Sequence, residues 1–320
     1  MTPAAKKTAS PLLIVLAFAT VYIVWGSTYF FIKIAVAGFP PLLLGALRFF
    51  TAGLLLMIWC AIEGEKIFVP RNIFHAAISG FLLLVIGNGV VIWVEQTLPS
   101  AMVAIMVTSP PIWFVLLDKP NWGTNFRSKS TIAGLLIGFV GVILLFSEQI
   151  ESMIGPSAGS SKLAGMLLLV FGTLGWASGS LYSKHYNNKG SGTVNTAWQM
   201  LAAGAFFIPA SFLTNETQAV HWDAIPAQSW YALAYLIIFG SIAAFSAYVW
   251  LLQVRSATQV GTYAYVNPVI AVLLGVIFAG EHVSLIQVVG LFVILGSVLL
   301  INLSKYRKAK EVDEKVVVAE

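Results

Sequence analysis

Long apolar stretches separated by short polar segments limit what this 320-residue chain can fold into. Hydrophobic residues make up 58% of it and charged residues 10%, whereas soluble domains carry about 25% charged residues. A helix needs about 20 apolar residues to cross a bilayer core, and continuous apolar runs favour helices over alternating strands. We therefore predict an all-α membrane protein. Its ten predicted transmembrane helices lie at residues 12–36, 40–62, 72–94, 98–117, 130–147, 163–183, 193–213, 229–252, 258–279 and 284–303.

The chain also contains two copies of one pattern. Trp25, followed by Lys33, recurs 151 residues later as Trp176, followed by Lys184. Matches further along keep the same order at an offset of 157 residues: Trp93 with Trp250, Gln96 with Gln253, and Pro111 with Pro268. Two five-helix repeats follow from this duplication. Because five is odd, the second repeat would enter the membrane from the opposite side, which makes an inverted repeat suited to alternating access. A duplication that only built a stable bundle is the alternative.

Basic residues predict how the repeats are oriented. Of the 18 lysines and arginines, fifteen fall on the side of both termini and one, Lys162, falls in a loop on the other side. Basic loops face the cytoplasm. The predicted order is a cytoplasmic N-terminus (1–11), a first repeat (12–147), a periplasmic linker (148–162) and a second repeat (163–303). A cytoplasmic tail follows at 304–320.

Several local sequences resemble EamA-type members of the drug/metabolite transporter superfamily. These are Trp-Gly-Ser-Thr-Tyr at 25–29, Leu-Arg-Phe at 47–49 with Ala52 and Gly53, and Ala-Tyr-Val-Asn-Pro at 264–268 with Gly275, Gly280 and Glu281. The stretch 246–281 is similar to the subgroup of bacterial inner-membrane metabolite and drug exporters. The resemblance implies ten helices, cytoplasmic termini in the plasma membrane, and a central cavity formed mainly by helices 1, 3, 4, 6, 8 and 9. It also implies that the substrates are amino acids, other small metabolites or amphipathic toxic compounds.

A polar stripe marks the ninth predicted helix. Gln259, Tyr263 and Asn267 recur every four residues and share one helical face. Lipid cannot satisfy polar groups, so this face should line a substrate cavity or form hydrogen bonds between helices. Pro268, which lacks an amide donor, is a candidate hinge.

The matching positions of the fourth predicted helix are apolar. Met102 and Met106 precede Pro110 and Pro111. Flexible thioethers suit a cavity wall that accepts varied shapes, although such stripes also serve ordinary packing. We expect the methionines to line the cavity opposite the polar stripe and the two prolines to act as hinge or gate residues.

Aromatic and amide side chains extend the predicted cavity. In the first helix Tyr22 and Tyr29 lie near one face with Trp25 beside them, and Trp176 is the repeat equivalent of Trp25. Asn88, in the third helix, is a candidate neutral cavity group.

Few charged residues fall within the spans. Lys33 and its repeat equivalent Lys184 either extend to the membrane interface or form symmetry-related gate or anion-binding groups. Arg48 is expected to pair with Glu95, also a cavity candidate, or to bind a substrate carboxylate. No carboxylate lies at mid-span to act as an obvious proton relay.

Several function classes lack their sequence signatures. The chain has neither a Gly-x4-Gly-Lys-Ser/Thr loop for ATP hydrolysis nor a His-Glu-x-x-His pattern, and its lone Cys60 has no partner thiol. We expect no enzyme activity, no cofactor and no metal. The +5 net charge reflects topology, and nucleic-acid binding is not expected. The expected partners are a small-molecule substrate and the lipid bilayer. The glycines of the fifth helix, Gly134, Gly138 and Gly141, predict a homodimer or tight intramolecular docking.

Taken with the resemblance, these features predict a secondary active transporter. It would export small metabolites such as amino acids, or amphipathic drugs, across the plasma membrane by alternating access. A facilitative or uptake carrier for a small metabolite is the alternative within transport. A channel, a receptor or an intramembrane enzyme are the alternatives outside it.

Overall fold

The computed structural model describes residues 10–96, 98, 103, 106–145, 147, 160–186, 190–279 and 284–317. Within these residues the secondary structure is helical, with turns and short loops and no strand. The all-α prediction is therefore confirmed for the described part of the chain.

Within the part of the chain that the structure describes, six helices are long and apolar enough to cross a membrane. They are α1 (Pro11–Val36), α2 (Pro41–Ile62), α3 (Pro70–Val94), α7 (Ser160–Tyr186, apolar from Ala164), α8 (Gly192–Leu213) and α10 (Ala227–Val254). The remaining helices are α4 (Pro110–Leu117), α5 (Trp122–Arg127), α6 (Lys129–Leu145), α9 (Glu216–Ala219), α11 (Ala257–Val260), α12 (Tyr263–Ala279) and α13 (Leu285–Val317).

The count of ten transmembrane helices remains a prediction. A seventh span is possible if the segments Lys119–Arg127 and Lys129–Leu145, which meet at 88°, form one broken span. The described parts of the fourth and ninth predicted spans are the shorter helices α4 and α12. In α13 the apolar part is Leu285–Ile301.

Proline sets the start of several helices. Pro11, Pro41, Pro70 and Pro110 each occupy the first turn of their helix. An amide at that position has no partner within the helix, so its loss costs little, and the fixed φ of proline already fits the helix. These residues therefore define where α1, α2, α3 and α4 begin.

Several of the main helix contacts correspond when the two predicted repeats are exchanged. Helix α2 packs along α8, its repeat equivalent, and α6 packs along α13, its own equivalent. Helix α1 contacts α10 and α12, and correspondingly α7 contacts α3 and α4. Glycines allow the close approach of α2 and α8: a Cβ built on Gly53 would lie 2.8 Å from Leu201 N, and one on its equivalent Gly204 would lie 2.7 Å from Phe50 Cα.

The glycine surface of α6 is occupied by α13 of the same chain. A Cβ on Gly134 would lie 2.5 Å from Ile301 Cγ1, and one on Gly141 would lie 2.9 Å from Ile294 N. Of the two alternatives raised by these glycines, the structure forms the intramolecular one. This surface is therefore not free to bind a second copy of the chain.

Two long helices contain a π-helical segment that the sequence patterns did not predict. Residues Phe81–Gly89 of α3 and Leu236–Ala243 of α10 adopt this wider turn. The two segments overlap when the repeats are aligned at the offset of 157 residues. Such segments occur frequently at functional sites, and the one in α3 contributes Gly87 and Asn88 to the cavity described next.

Candidate functional site

A cavity of about 600 Å³, counted with its open mouth, lies between helices of both halves. Its lining in α1 and α3 comes from the C-terminal halves of those helices. Eight residues singled out from the sequence line it: Trp25, Tyr29, Arg48, Asn88, Pro110, Trp176, Tyr263 and Asn267. The other lining residues are Thr28, Ile32, Gly87, Val91, Val107, Gly172 and Thr173.

Four aromatic side chains meet beside the cavity. The rings of Trp25 and Trp176, equivalent residues of the two repeats, lie edge to face with their centroids 5.5 Å apart. Tyr248 lies 4.9 Å from Trp25, and Tyr263 lies 5.0 Å from Trp25, both measured between ring centroids. Edge and tilted contacts at these distances favour a fixed arrangement. The cluster therefore joins α1, α7, α10 and α12.

Hydrogen bonds hold this aromatic cluster in place. Trp25 Nε1 donates to the carbonyl of Gly240, in the π-helical segment of α10, at 3.0 Å. Trp176 Nε1 donates to Tyr248 Oη at 3.1 Å, and the hydroxyls of Ser180 and Tyr248 lie 2.6 Å apart. Buried tryptophan and tyrosine polar atoms need such partners. Tyr248 is fully buried, and no sequence pattern singled it out.

Arg48 is the charged residue among the described residues that line the cavity. Its side chain is 3% exposed. The Nε atom donates to Ser241 Oγ at 2.9 Å, and the guanidinium carbon lies 4.9 Å from the ring centroid of Phe49. The buried Nη1 atom has no hydrogen-bond partner. These contacts fix the guanidinium but leave one of its donor groups unsatisfied.

The expected pairing of Arg48 with Glu95 is not formed. Glu95 does not line the cavity, and its buried Oε1 atom has no hydrogen-bond partner. Of the two sequence-based alternatives for Arg48, binding of a substrate carboxylate remains a hypothesis.

Two asparagines contribute differently to the cavity. Asn88 lies in the π-helical segment of α3, and its buried Oδ1 atom has no partner. The side-chain amide of Asn267 is oriented so that its nitrogen donates to the carbonyls of Tyr263, at 3.0 Å, and Tyr22, at 3.3 Å. Asn267 therefore connects α12 to α1, whereas the side-chain oxygen of Asn88 is an acceptor without a hydrogen bond.

Other predicted residues lie outside the cavity lining. The hydroxyls of Tyr22 and Thr262 lie 2.6 Å apart, between α1 and the start of α12. Gln259 helps to cap the start of α11: its backbone N–H donates to Ser256 Oγ at 3.3 Å, and Ser256 Oγ donates to the side-chain Oε1 of Gln259 at 3.1 Å.

The remaining predicted residues of the fourth and ninth spans have these positions. Met106 packs against the buried cluster that includes Val103 and Leu169. Met102 lies outside the described residues. Pro111 is buried in α4, and Pro268 is buried within α12.

Sequence reasoning missed a polar cluster on the α7 side of the cavity. Trp113 Nε1 lies 3.1 Å from both Ser109 Oγ and Thr173 Oγ1, and Ser109 Oγ donates to Thr173 Oγ1 at 3.1 Å. Thr173 precedes Trp176 by three residues, so the helical period gives the signal that places both on one face.

Lys184 binds the end of α10. Its Nζ donates to the carbonyls of Leu252 and Arg255, and Gln253 Nε2 donates to the carbonyl of Ser183 at 3.3 Å. The last carbonyls of a helix have no partner within it, so a cation there is favourable. Lys33, the repeat equivalent, is exposed, and its charge interacts with the Glu95 carboxyl group rather than with helix carbonyls. The two equivalent lysines therefore differ in their contacts.

Comparison with known proteins relates this sequence to membrane transporters. The sequence matches the EamA-like transporter family twice, over residues 12–147 and 163–303. It is 38% identical over 292 residues to the uncharacterized inner membrane transporter YedA of Escherichia coli K12, covering 91% of this chain and 90% of that protein.

More distant relatives cover the chain to a similar extent. The uncharacterized transporter YvbV of Bacillus subtilis 168 is 26% identical, with 95% of each chain covered. Protein PecM of Dickeya dadantii is 24% identical, with 90% of this chain and 92% of that protein covered. A crystal structure with 19% identity has the same fold, with a TM-score of 0.72 over 93% of this chain and 99% of the other. The chain is a multi-pass membrane protein that belongs to the EamA-like transporter family.

Proposed function

We propose that this chain is a secondary active transporter that exports small metabolites, such as amino acids, or amphipathic drugs across the bacterial inner membrane by alternating access. The observation that carries the proposal is the cavity between the two halves, with Trp25 and Trp176 as equivalent parts of its wall. A site at the interface of two inverted repeats is where such carriers bind substrate.

The reciprocal helix contacts support alternating access. Because α1 contacts α10 and α12 as α7 contacts α3 and α4, exchanging the shapes of the halves would move the opening of the cavity to the opposite side. The contacts of Lys184 with the carbonyls of Leu252 and Arg255 close one end of the bundle. At the other end the equivalent Lys33 is exposed, and its charge interacts with the Glu95 carboxyl group instead. These features support a carrier with two states.

Flux through purified protein in liposomes tests this proposal. We expect substrate-dependent flux of amino acids or a cationic dye, changed by an imposed pH gradient if protons drive export. The variant Val91→Trp fills the cavity and should abolish flux. The matched control Val140→Trp places the same side chain on an exposed position of α6 and should retain it. Equal flux in both variants would refute a substrate path through this cavity.

Orientation and topology have their own test. With both termini in the cytoplasm, a cysteine at the exposed Gln218 should react with an impermeant reagent in intact cells, and one at the half-exposed Ser191 should react only after permeabilisation. Cys60, which is buried, is replaced by serine in both. The reverse labelling pattern would place the termini on the periplasmic side.

A further inference from the structure

Among the described residues that line the cavity, one is positively charged and none is acidic, and the nearby Glu95 carboxyl group interacts with Lys33 instead of Arg48. Arg48 is its charged lining residue, and it keeps that charge because arginine is not deprotonated in proteins. A buried charge without a partner is unfavourable, and intramembrane charged groups mark substrate pathways. A bound anion would remove that imbalance.

Arg48 is positioned to contact such an anion through one end of its guanidinium. Ser241 accepts from Nε at 2.9 Å, and the guanidinium carbon lies over the Phe49 ring, 4.9 Å from its centroid, so the side chain is held without using Nη1. Hydrogen bonds from a guanidinium to a carboxylate are stronger than neutral ones. The unpaired Nη1 donor therefore binds a carboxylate oxygen more strongly than a neutral oxygen.

Asn88 offers a second, different polar group to the same cavity. Its buried Oδ1 is an acceptor without a partner, and both Asn88 and Arg48 also border a smaller pocket beside Phe49. An acceptor cannot bind a carboxylate oxygen, but it can bind a hydroxyl or amine hydrogen. The site therefore holds one donor for an anion and one acceptor for a neighbouring donor group.

Much of the remaining wall is aromatic. Trp25, Trp176 and Tyr263 form an aromatic surface that favours contact with a ring or a branched apolar body. An organic cation would also contact aromatic faces, but it would add a second positive charge beside Arg48. Charge balance therefore decides in favour of the anion.

We infer that the preferred substrates are organic monocarboxylates with an apolar body and a hydrogen-bond donor near the carboxylate. The carboxylate binds Arg48 Nη1 and the donor binds Asn88 Oδ1. This inference rests on the proposed function, because it names the substrate class of the same cavity.

Four probes with one phenyl body separate the contributions. They are 3-phenyllactate (carboxylate and hydroxyl), 3-phenylpropionate (carboxylate alone), 3-phenylpropanol (neutral) and phenethylamine (cation). Binding to the full-length protein in detergent is measured by titration, and flux in liposomes is measured in parallel. We expect 3-phenylpropionate to bind about tenfold tighter than 3-phenylpropanol, 3-phenyllactate to bind tighter still, and phenethylamine to bind most weakly. Phenethylamine binding as tightly as either acid, or acids binding no tighter than the alcohol, would overturn the inference.

Two variants assign the contacts to residues. Arg48→Gln should remove the preference for the acids over the alcohol, and Arg48→Lys, which keeps the charge, should retain part of it. Asn88→Ala should make 3-phenyllactate and 3-phenylpropionate bind equally while both still bind better than the alcohol. If Arg48→Gln does not fold, the wild-type ranking of the four probes and the Asn88→Ala comparison still decide the question. An unchanged ranking in folded Arg48→Gln contradicts the role of Arg48.

The flux arm separates this inference from the proposed function. Selective transport of phenethylamine with no transport of the acids would overturn the substrate class and leave a transporter in place. Absence of flux for all four probes and for the dye would count against transport itself, and in that case binding of the acids alone would still support the anion site.

Discussion

Replacing Lys184 with methionine should open the end of the bundle that it closes. Methionine keeps most of the side-chain volume but cannot donate to the carbonyls of Leu252 and Arg255. A hydrogen bond involving a charged group contributes about 1.5–3 kcal/mol when buried. Lys184 is half-buried, so we take about 2 kcal/mol for both contacts together, at the upper end of the range for a cation at a helix C-terminus. In a two-state equilibrium that corresponds to a shift of about 30-fold toward opening at this end.

The assay measures access to a buried position near the same end. Thr258 in α11 is 1% exposed, so a cysteine at this site, in a Cys60→Ser background, should react slowly with a thiol reagent. Lys184→Met should raise that rate by about 30-fold. The matched control is Lys119→Met, because Lys119 is exposed and far from these contacts along the chain. A rate within twofold of the parent, in folded protein, would refute the idea that Lys184 holds this end closed.

Three further changes test the packing, the loop and the cavity. Gly138→Leu should lower the melting temperature, because even a Cβ there would lie 2.7 Å from Ser297 Oγ. The control Gly123→Leu should not lower it, because a Cβ at Gly123 has nothing within 4 Å. Equal melting temperatures of the two variants would contradict the packing of α6 against α13. Burial raises the pKa of the Glu216 carboxyl. The stability that the protonated group contributes is therefore present at acid pH and is lost as pH rises through that raised pKa. Glu216→Gln should flatten the pH dependence of the melting temperature between pH 4 and 7, and an unchanged profile would exclude Glu216 as its source. Asn267→Leu should reduce substrate affinity in protein that still folds, while a loss of thermal stability alone, with unchanged affinity, would indicate a packing role.

Some residues that repeat along the chain are neighbours in the structure. The equivalence of Trp25 and Trp176 at an offset of 151 residues leads directly to two side chains that meet in the structure. The same holds for Gly53 and Gly204, which allow α2 and α8 to approach. Both copies of a duplicated helix keep the same surface toward the other half. The residues of that surface can therefore be found by aligning the two halves of one sequence.

The spacing of polar residues does not predict their position correctly where a helix is interrupted. The stripe of Gln259, Tyr263 and Asn267 assumes one continuous helix, but α11 ends at Val260 and α12 begins at Tyr263. Tyr263 and Asn267 therefore line the cavity, whereas Gln259, four residues earlier, does not. The π-helical segments and the burial of Tyr248 depend on backbone geometry and on partners distant in sequence, so no local pattern predicts them.

The position of Arg48 also has an electrical consequence. An elementary charge that crosses the full membrane potential changes its energy by about 2.3 kcal/mol per 100 mV. When a water-filled cavity opens to one side, its interior takes nearly the voltage of that side, so Arg48 experiences a different voltage in each state even if it does not move. Reorientation of the empty protein would therefore carry a capacitive current. A ligand that cancels the guanidinium charge would reduce that current, and solid-supported membrane recordings would detect the difference.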